Sequence, residues 1–270
     1  MPGDIRNTFA SETTKEGWLK KLRYLIPEPL RRWLNLRLRP KIERKLLVFD
    51  RVTDWSVLRR LTPYRGDLGG RRGKYIDRFY IERFLATYRD FIRGNVAEMQ
   101  RDEYASLFGG GAVTRLEILD ISEQNEHRTM AVDLTQTARA PEDIFDCIIC
   151  TQTLFLIQDY VSAIRTLYKL LLPGGVALVT VPGICPTIRG SLVAGAGEDW
   201  WRFTGRSAQL EFAQVFGNEN VVVQTYGNVL STTAFLHGLV QEELTQEELE
   251  YHDANYEVLI GVRAIKQGAR

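Results

Sequence analysis

One stretch constrains the fold more than any other: Phe145 to Gly183, FDCIICTQTLFLIQDYVSAIRTLYKLLLPGGVALVTVPG. Phe145 to Cys150 is a short apolar run, too short for a stable helix and suited to a strand buried on both faces. Ile157, Val161, Ile164, Leu167 and Leu171 then recur at spacings of three and four, one face of a helix. Pro173-Gly174-Gly175 is expected to stop that helix, since Pro lacks an amide hydrogen and Gly accepts positive φ. Val176 to Val181 reads as a second buried strand. Two buried strands joined by a helix form a parallel crossover, the unit of a helix-covered α/β sheet. Ligands of open sheets sit beyond the carboxyl ends of the strands, here Thr151-Gln152 and Pro182-Gly183.

The 270 residues accommodate one such domain with an appendage. Their arrangement predicts an N-terminal helical appendage and linker over 1–74 and an α/β domain over 75–270. No run of 18 apolar residues occurs, and the N-terminus lacks a basic-then-apolar signal pattern, so a cytoplasmic protein is expected. The cysteines are Cys147, Cys150 and Cys185; the first two fall within a buried strand, so apolar packing is expected there and no metal site. Lys15 to Lys45 holds eleven Lys or Arg against three Glu, a surplus of +8 within a chain of net charge +1. Trp18, Trp33 and eight Leu or Ile interleave with those charges. Such a segment suits peripheral contact with an anionic membrane surface. Packing on the domain or on another copy in a homo-oligomer is the competing reading, because Pro27, Pro29 and Pro40 break the segment. No groove-reading or base-stacking motif follows the charges, so nucleic acid is not an expected partner.

The Phe-Asp strand, the ThrGlnThrLeu turn, the helix and the Leu-Pro-Gly-Gly strand together resemble the class I S-adenosylmethionine-dependent methyltransferases. The likeness extends over roughly Ile76 to Lys266. IDRFYIERF from Ile76, the "DLT" at Asp133 and YGNVLSTTAFLHGL from Tyr226 resemble a type 11-like branch found beside polysaccharide genes. The resemblance implies a doubly wound, mostly parallel, seven-stranded Rossmann-like sheet. It implies S-adenosylmethionine as cofactor and O-methylation of a saccharide or small metabolite. The rival expectation is a methyltransferase-like subunit without catalysis, working as a scaffold.

That rival rests on one departure. The family's first strand ends in an acidic residue followed by Gly-x-Gly-x-Gly. Here Glu98 takes the acidic position, but Met99-Gln100-Arg101-Asp102-Glu103-Tyr104 follows. Glycine lets that backbone turn tightly against the cofactor, and Gln100 is expected to resist positive φ. Asp102 to Phe108 leaves room for two helical turns at most, stopped at Gly109-Gly110-Gly111. By resemblance, Glu98 and Gln100 form the cofactor turn. Glu117, or else Asp120, takes the ribose hydroxyls; Asp133 and Leu134 meet the adenine; Thr151 and Gln152 close the site.

For the acceptor side, Trp201 and Arg202 in the DWWRFT loop offer an aromatic and guanidinium wall, joined by Tyr80 of the Ile76–Arg93 helix. A hydroxyl acceptor needs a base. Phe155 fills the slot where many relatives carry His. Of His127, His237 and His252, His237 is the catalytic candidate, though an apolar stretch surrounds it.

Overall fold

The structure is a computed structural model that describes residues 59–64, 73–188 and 198–268. Met1–Arg60 and Leu61–Arg270 separate as two units, and the described residues belong almost wholly to the second. The basic segment 15–45, with its expected membrane or packing role, lies outside them.

The second unit is built on one seven-stranded sheet. In chain order the elements are α1 (Ile76–Thr87), β1 (Gly94–Met99), β2 (Val113–Asp120), β3 (Met130–Ala131) and β4 (Phe145–Thr151). There follow α2 (Tyr160–Leu170), β5 (Leu171–Pro182), α3 (Gly205–Phe216), β6 (Val221–Tyr226), α4 (Val229–Leu236), α5 (Gln246–Glu250) and β7 (Leu259–Ile265). The strand order is β3-β2-β1-β4-β5-β7-β6, and only β7 runs antiparallel to its neighbours. The crossover unit predicted a helix-covered α/β sheet, and this is the doubly wound, mostly parallel, seven-stranded sheet that the resemblance implied.

Alternation in β4 explains why both faces are covered. Ile148 and Cys150 enter the core beneath α2 and α3, with Ile164, Leu167, Phe212 and Phe216. Cys147 and Ile149 enter the opposite core beneath α1 and α4, with Ile76, Phe84 and Phe235. The two thiols of the CxxC therefore point to opposite faces and cannot share a ligand. Burial pushes the Cys150 thiol up to about 12. Ile76, Tyr80, Ile81, Phe84 and Leu85 form the buried stripe of α1. That helix lies close on β7 because Gly261 has no side chain: a Cβ there would meet Phe84 Cδ2 at 2.4 Å.

Two boundaries differ from expectation. Helix α2 ends at Leu170, before Pro173, so Pro-Gly-Gly does not stop it. Leu171 already pairs with Phe145, and Pro173-Gly174-Gly175 forms an irregularity within β5, where the register to β4 shifts. Gly174 takes φ 82° and its N–H donates to Lys266 O at 2.8 Å. Strand β5 accordingly begins at Leu171, where the sequence places its start at Val176.

Candidate functional site

The carboxyl ends of β1, β2 and β4 stand side by side, in register Met99↔Leu119 and Glu98↔Ile149. Glu98 is buried, and its carboxylate accepts the backbone N–H of Glu103 (3.2 Å), Tyr104 (2.9 and 3.1 Å) and Ala105 (2.8 Å). It thereby caps the helical turn Ala105–Gly109, a role a carboxylate fills well because those amides have no partner within the turn. Burial pushes the pKa of Glu98 up to about 7, while the three amides pull it down. From α1, Arg78 Nη1 reaches Glu103 (2.5 Å) and the Tyr104 hydroxyl (2.6 Å), which fixes the outer side of the turn.

Gln100 does what the sequence argued against: it adopts φ 70°. Three bonds impose that conformation. Gln100 N–H donates to Leu119 O (2.9 Å), Arg101 N–H donates to Met99 O (2.9 Å), and Asn125 Nδ2 donates to Gln100 O (2.7 Å). The Gln100 residue is exposed, so its side chain does not fill the turn. A non-glycine residue in this region costs about 1–2 kcal/mol, which the surrounding bonds offset.

Asn125 Nδ2 also donates to Asp120 Oδ2 (2.6 Å), and Ser122 N–H donates to Asp120 Oδ1 (2.9 Å). Asp120 is the last residue of β2, directly beside the Gln100 turn. Glu117 lies three residues earlier, opposite Ala97, with its carboxylate engaged by Arg115 (2.9 Å from Nε) and by the Thr129 hydroxyl. That hydroxyl, with Arg115 adding to it, holds its carboxyl below the usual range. Of the two acids weighed for the strand end, the geometry therefore puts Asp120 at the edge and Glu117 inside the strand. Asp133 accepts Thr135 N–H (2.9 Å) and its hydroxyl (2.7 Å) through Oδ1, a turn-capping arrangement, and the Leu134 side chain is buried in the core.

Beyond Thr151, Gln152 takes φ 46° and its N–H donates to Thr180 O (2.9 Å). Its Oε1 is buried without a partner, and its side chain acts on the carboxyl of Asp77, in the first turn of α1, whose Oδ1 accepts the Arg78 N–H at 2.9 Å. Desolvation holds the Asp77 carboxyl above the usual carboxylate range, against the nearby Arg78. Asp77 in turn neighbours Cys185, whose thiol burial pushes up to about 11. Cys185 adjoins Arg202. Asp77 and Arg202 thus act on Cys185 from opposite sides of the charge balance, Asp77 raising its pKa and Arg202 lowering it.

Arg202 is held in place throughout. Its Nη2 donates to Asp199 Oδ2 (2.7 Å) and Pro186 O (2.8 Å), and its guanidinium lies 5.6 Å from the Phe155 ring centroid. Trp201 Nε1 donates to Ile157 O (3.0 Å), and the N–H groups of Trp200 and Trp201 both donate to Phe155 O. The loop is thereby docked over the segment that follows β4. Tyr80 stands apart from this wall. It is 2% exposed, donates its hydroxyl to Leu249 O (3.0 Å) and stacks on Tyr226.

His237 is the C-cap of α4, with its ring 4.9 Å from that of Tyr64 and its Nδ1 buried and unpartnered. Among the described residues, no hydrogen bond or ring contact joins it to Thr151, Gln152, Trp201 or Arg202. The sequence points to His237 as the catalytic candidate but carries no signal for Asp77 in that role beyond its place at the start of an apolar-faced helix. His252 is exposed, its Nε2 3.0 Å from Thr225 Oγ1. Among the described residues no cluster of three or more His, Cys, Asp or Glu could hold a metal ion, and no helix is long and apolar enough to cross a membrane.

A family model for a methyltransferase domain matches residues 67–216. No curated protein matches the sequence. Similar solved structures include an S-adenosylmethionine-dependent methyltransferase from Archaeoglobus fulgidus, 12% identical, over 70% of this chain and 94% of that one, with a TM-score of 0.44. Another is an S-adenosylmethionine-dependent methyltransferase from Mesorhizobium loti, 17% identical, over 67% and 96%, with a TM-score of 0.44. A third is phosphoethanolamine N-methyltransferase 2 of Haemonchus contortus in complex with S-adenosyl-L-methionine, 13% identical, over 68% and 52%, with a TM-score of 0.43.

Proposed function

We propose that this chain, which belongs to the class I S-adenosylmethionine-dependent methyltransferases, methylates a hydroxyl of a saccharide or other small metabolite. Its cofactor is S-adenosylmethionine. The residues at the carboxyl edge fit that group. Gln152 offers a buried acceptor oxygen with no protein partner, Asp120 stands at the end of β2, and the Gln100 turn has the left-handed backbone that glycine usually supplies. Asp120 is our candidate for the ribose hydroxyls, in place of Glu117, because two carboxylate oxygens match two adjacent donors. Asp133 and the Leu134 backbone stay as candidates for the adenine end. The inactive-scaffold alternative is not favoured, since its motive was a turn that the chain builds despite lacking glycine.

The cofactor supplies a methyl group on a sulfonium, already activated for displacement. The protein's part is positioning and proton removal. The observation that carries the reading is the buried, unpartnered Oε1 of Gln152 at the end of β4, on a side chain that acts on the Asp77 carboxyl. Asp77 is the proposed acceptor of the substrate's hydroxyl proton: it is a carboxyl held basic by desolvation, next to the orphaned Gln152 oxygen. Gln152 orients it, and Arg202 and Trp201 form the wall behind the acceptor. His237, lacking contact with this group, is the second candidate for the base. Peripheral membrane contact through residues 15–45 and self-association remain proposals, read by liposome flotation and light scattering. The test of the reaction is methyl transfer from labelled S-adenosylmethionine to a panel of saccharides and hydroxylated metabolites. Transfer to a hydroxyl by the wild type and its loss in Asp77→Asn support the reading; transfer only to amines, or full activity in Asp77→Asn, refutes it.

A further inference from the structure

At the far end of the sheet, beyond β7 from the cofactor strands, a cavity of about 450 Å³ opens between α1, the end of β6 and the residues after α5. Small-molecule sites typically enclose roughly 300–1,000 Å³. It shares no residue with the crevice around Asp77 and Gln152.

Four aromatic residues of the Phe and Tyr type line it: Phe79, Tyr80, Tyr226 and Tyr251. Tyr226 is fixed by two other lining residues, its ring stacked 5.9 Å from that of Tyr80 and its hydroxyl donating to Gln224 Oε1 at 2.9 Å. Tyr251 is 68% exposed, which leaves a large aromatic side chain uncovered at the cavity mouth. The polar lining converges from two sides. Arg83 of α1 pairs with Glu250 Oε1 of α5, and Gln246 Nε2 donates to the same oxygen at 2.7 Å, which leaves Oε2 outside these bonds. Thr225 Oγ1 and His252 Nε2 stand 3.0 Å apart on the other side.

These features select a ligand. Arg83 and Glu250 neutralise each other, so the lining rewards neither a cation nor an anion strongly. Aromatic faces accept the apolar C–H face of a ring. A guanidinium and a carboxylate, being planar and forked, serve adjacent hydroxyls as donor and acceptor. A ligand with one apolar face and a rim of neutral hydroxyls meets all three conditions. We propose that this cavity is a binding site for a neutral hexopyranoside, separate from the methyl-transfer crevice. It does not depend on the proposed reaction, because it is read by binding alone.

The test is saturation-transfer NMR on the full chain with methyl β-D-glucopyranoside, methyl α-D-mannopyranoside and adenosine, in the presence of saturating S-adenosylhomocysteine. The expected result is transfer to the ring C–H protons of at least one glycoside. Its affinity should fall at least tenfold in Tyr251→Ala and in Glu250→Gln. Tyr251 is exposed, so its truncation leaves the fold intact, which circular dichroism checks. No transfer to either glycoside, transfer confined to adenosine, or a glycoside signal unchanged in Tyr251→Ala would each overturn the proposal.

Discussion

Both carboxylate oxygens of Glu98 accept the single backbone N–H of Tyr104, at 2.9 and 3.1 Å. This pairing ties the end of β1 to the turn that follows it, where glycines are missing. Its energetics are open to titration. The pKa of Glu98 in the fold, about 7, lies above its ordinary value of 4.5 because burial disfavours the charge. The fold therefore binds the proton more tightly than the unfolded chain does. Stability from this group is fullest below about 4.5 and is lost as pH rises through 7, by an amount on the order of 3 kcal/mol. Chemical denaturation at pH 5 and pH 8 checks this. The difference between wild type and Glu98→Gln should shrink the pH dependence in that window, and an unchanged slope would remove Glu98 as its source.

Gln100→Gly should stabilise the protein. Relief of left-handed strain is worth about 1–2 kcal/mol, and glycine's extra chain entropy takes back about 0.5–1 kcal/mol. The net gain of up to about 1.5 kcal/mol appears as a raised denaturation midpoint. S-adenosylhomocysteine should bind at least as tightly as to wild type. A destabilised variant would mean that the Gln100 side chain makes contacts the turn requires.

The two acids of β2 should separate cleanly. Asp120→Ala removes the proposed ribose acceptor and one of the two acceptors of Asn125 Nδ2, so S-adenosylhomocysteine affinity should fall by about 1–3 kcal/mol. Glu117→Ala should leave affinity near wild type, since it lies within β2, three residues before the strand end. Thermal shift with and without ligand reads both through linkage. The reverse ranking restores Glu117.

Proton removal distinguishes Asp77 from His237. Asp77→Asn should lower kcat toward a hydroxyl acceptor by about a hundredfold or more and leave S-adenosylhomocysteine affinity intact. His237→Ala should change kcat by less than threefold. In the wild type, kcat should rise with pH as the Asp77 carboxyl, held above its usual range, gives up its proton. A large loss in His237→Ala alone would exchange their roles.

Much of the fold was legible because β4, α2 and β5 carry local signals: continuous apolar runs for doubly buried strands and a three-four spacing for the helix. What was not legible depends on distant partners. The end of β2 is set by pairing with β1 and β3, Leu119↔Met99 and Asp120↔Ala131, which alternation within VTRLEILD does not reveal. The irregularity at Pro173-Gly174-Gly175 is held by Lys266, some ninety residues on in sequence. Gln100 reaches positive φ because Leu119 and Asn125 impose it, which overrides its local preference. Asp77 meets Gln152 only when α1 folds over the sheet edge, and no spacing records that.

The central claim is that a turn without glycine still forms a cofactor site. Calorimetric titration of the full chain with S-adenosylhomocysteine tests it most directly. The account predicts saturable one-to-one binding, weakened in Asp120→Ala and in Gln152→Ala. Absence of binding at millimolar ligand, with the protein folded by circular dichroism, would contradict it.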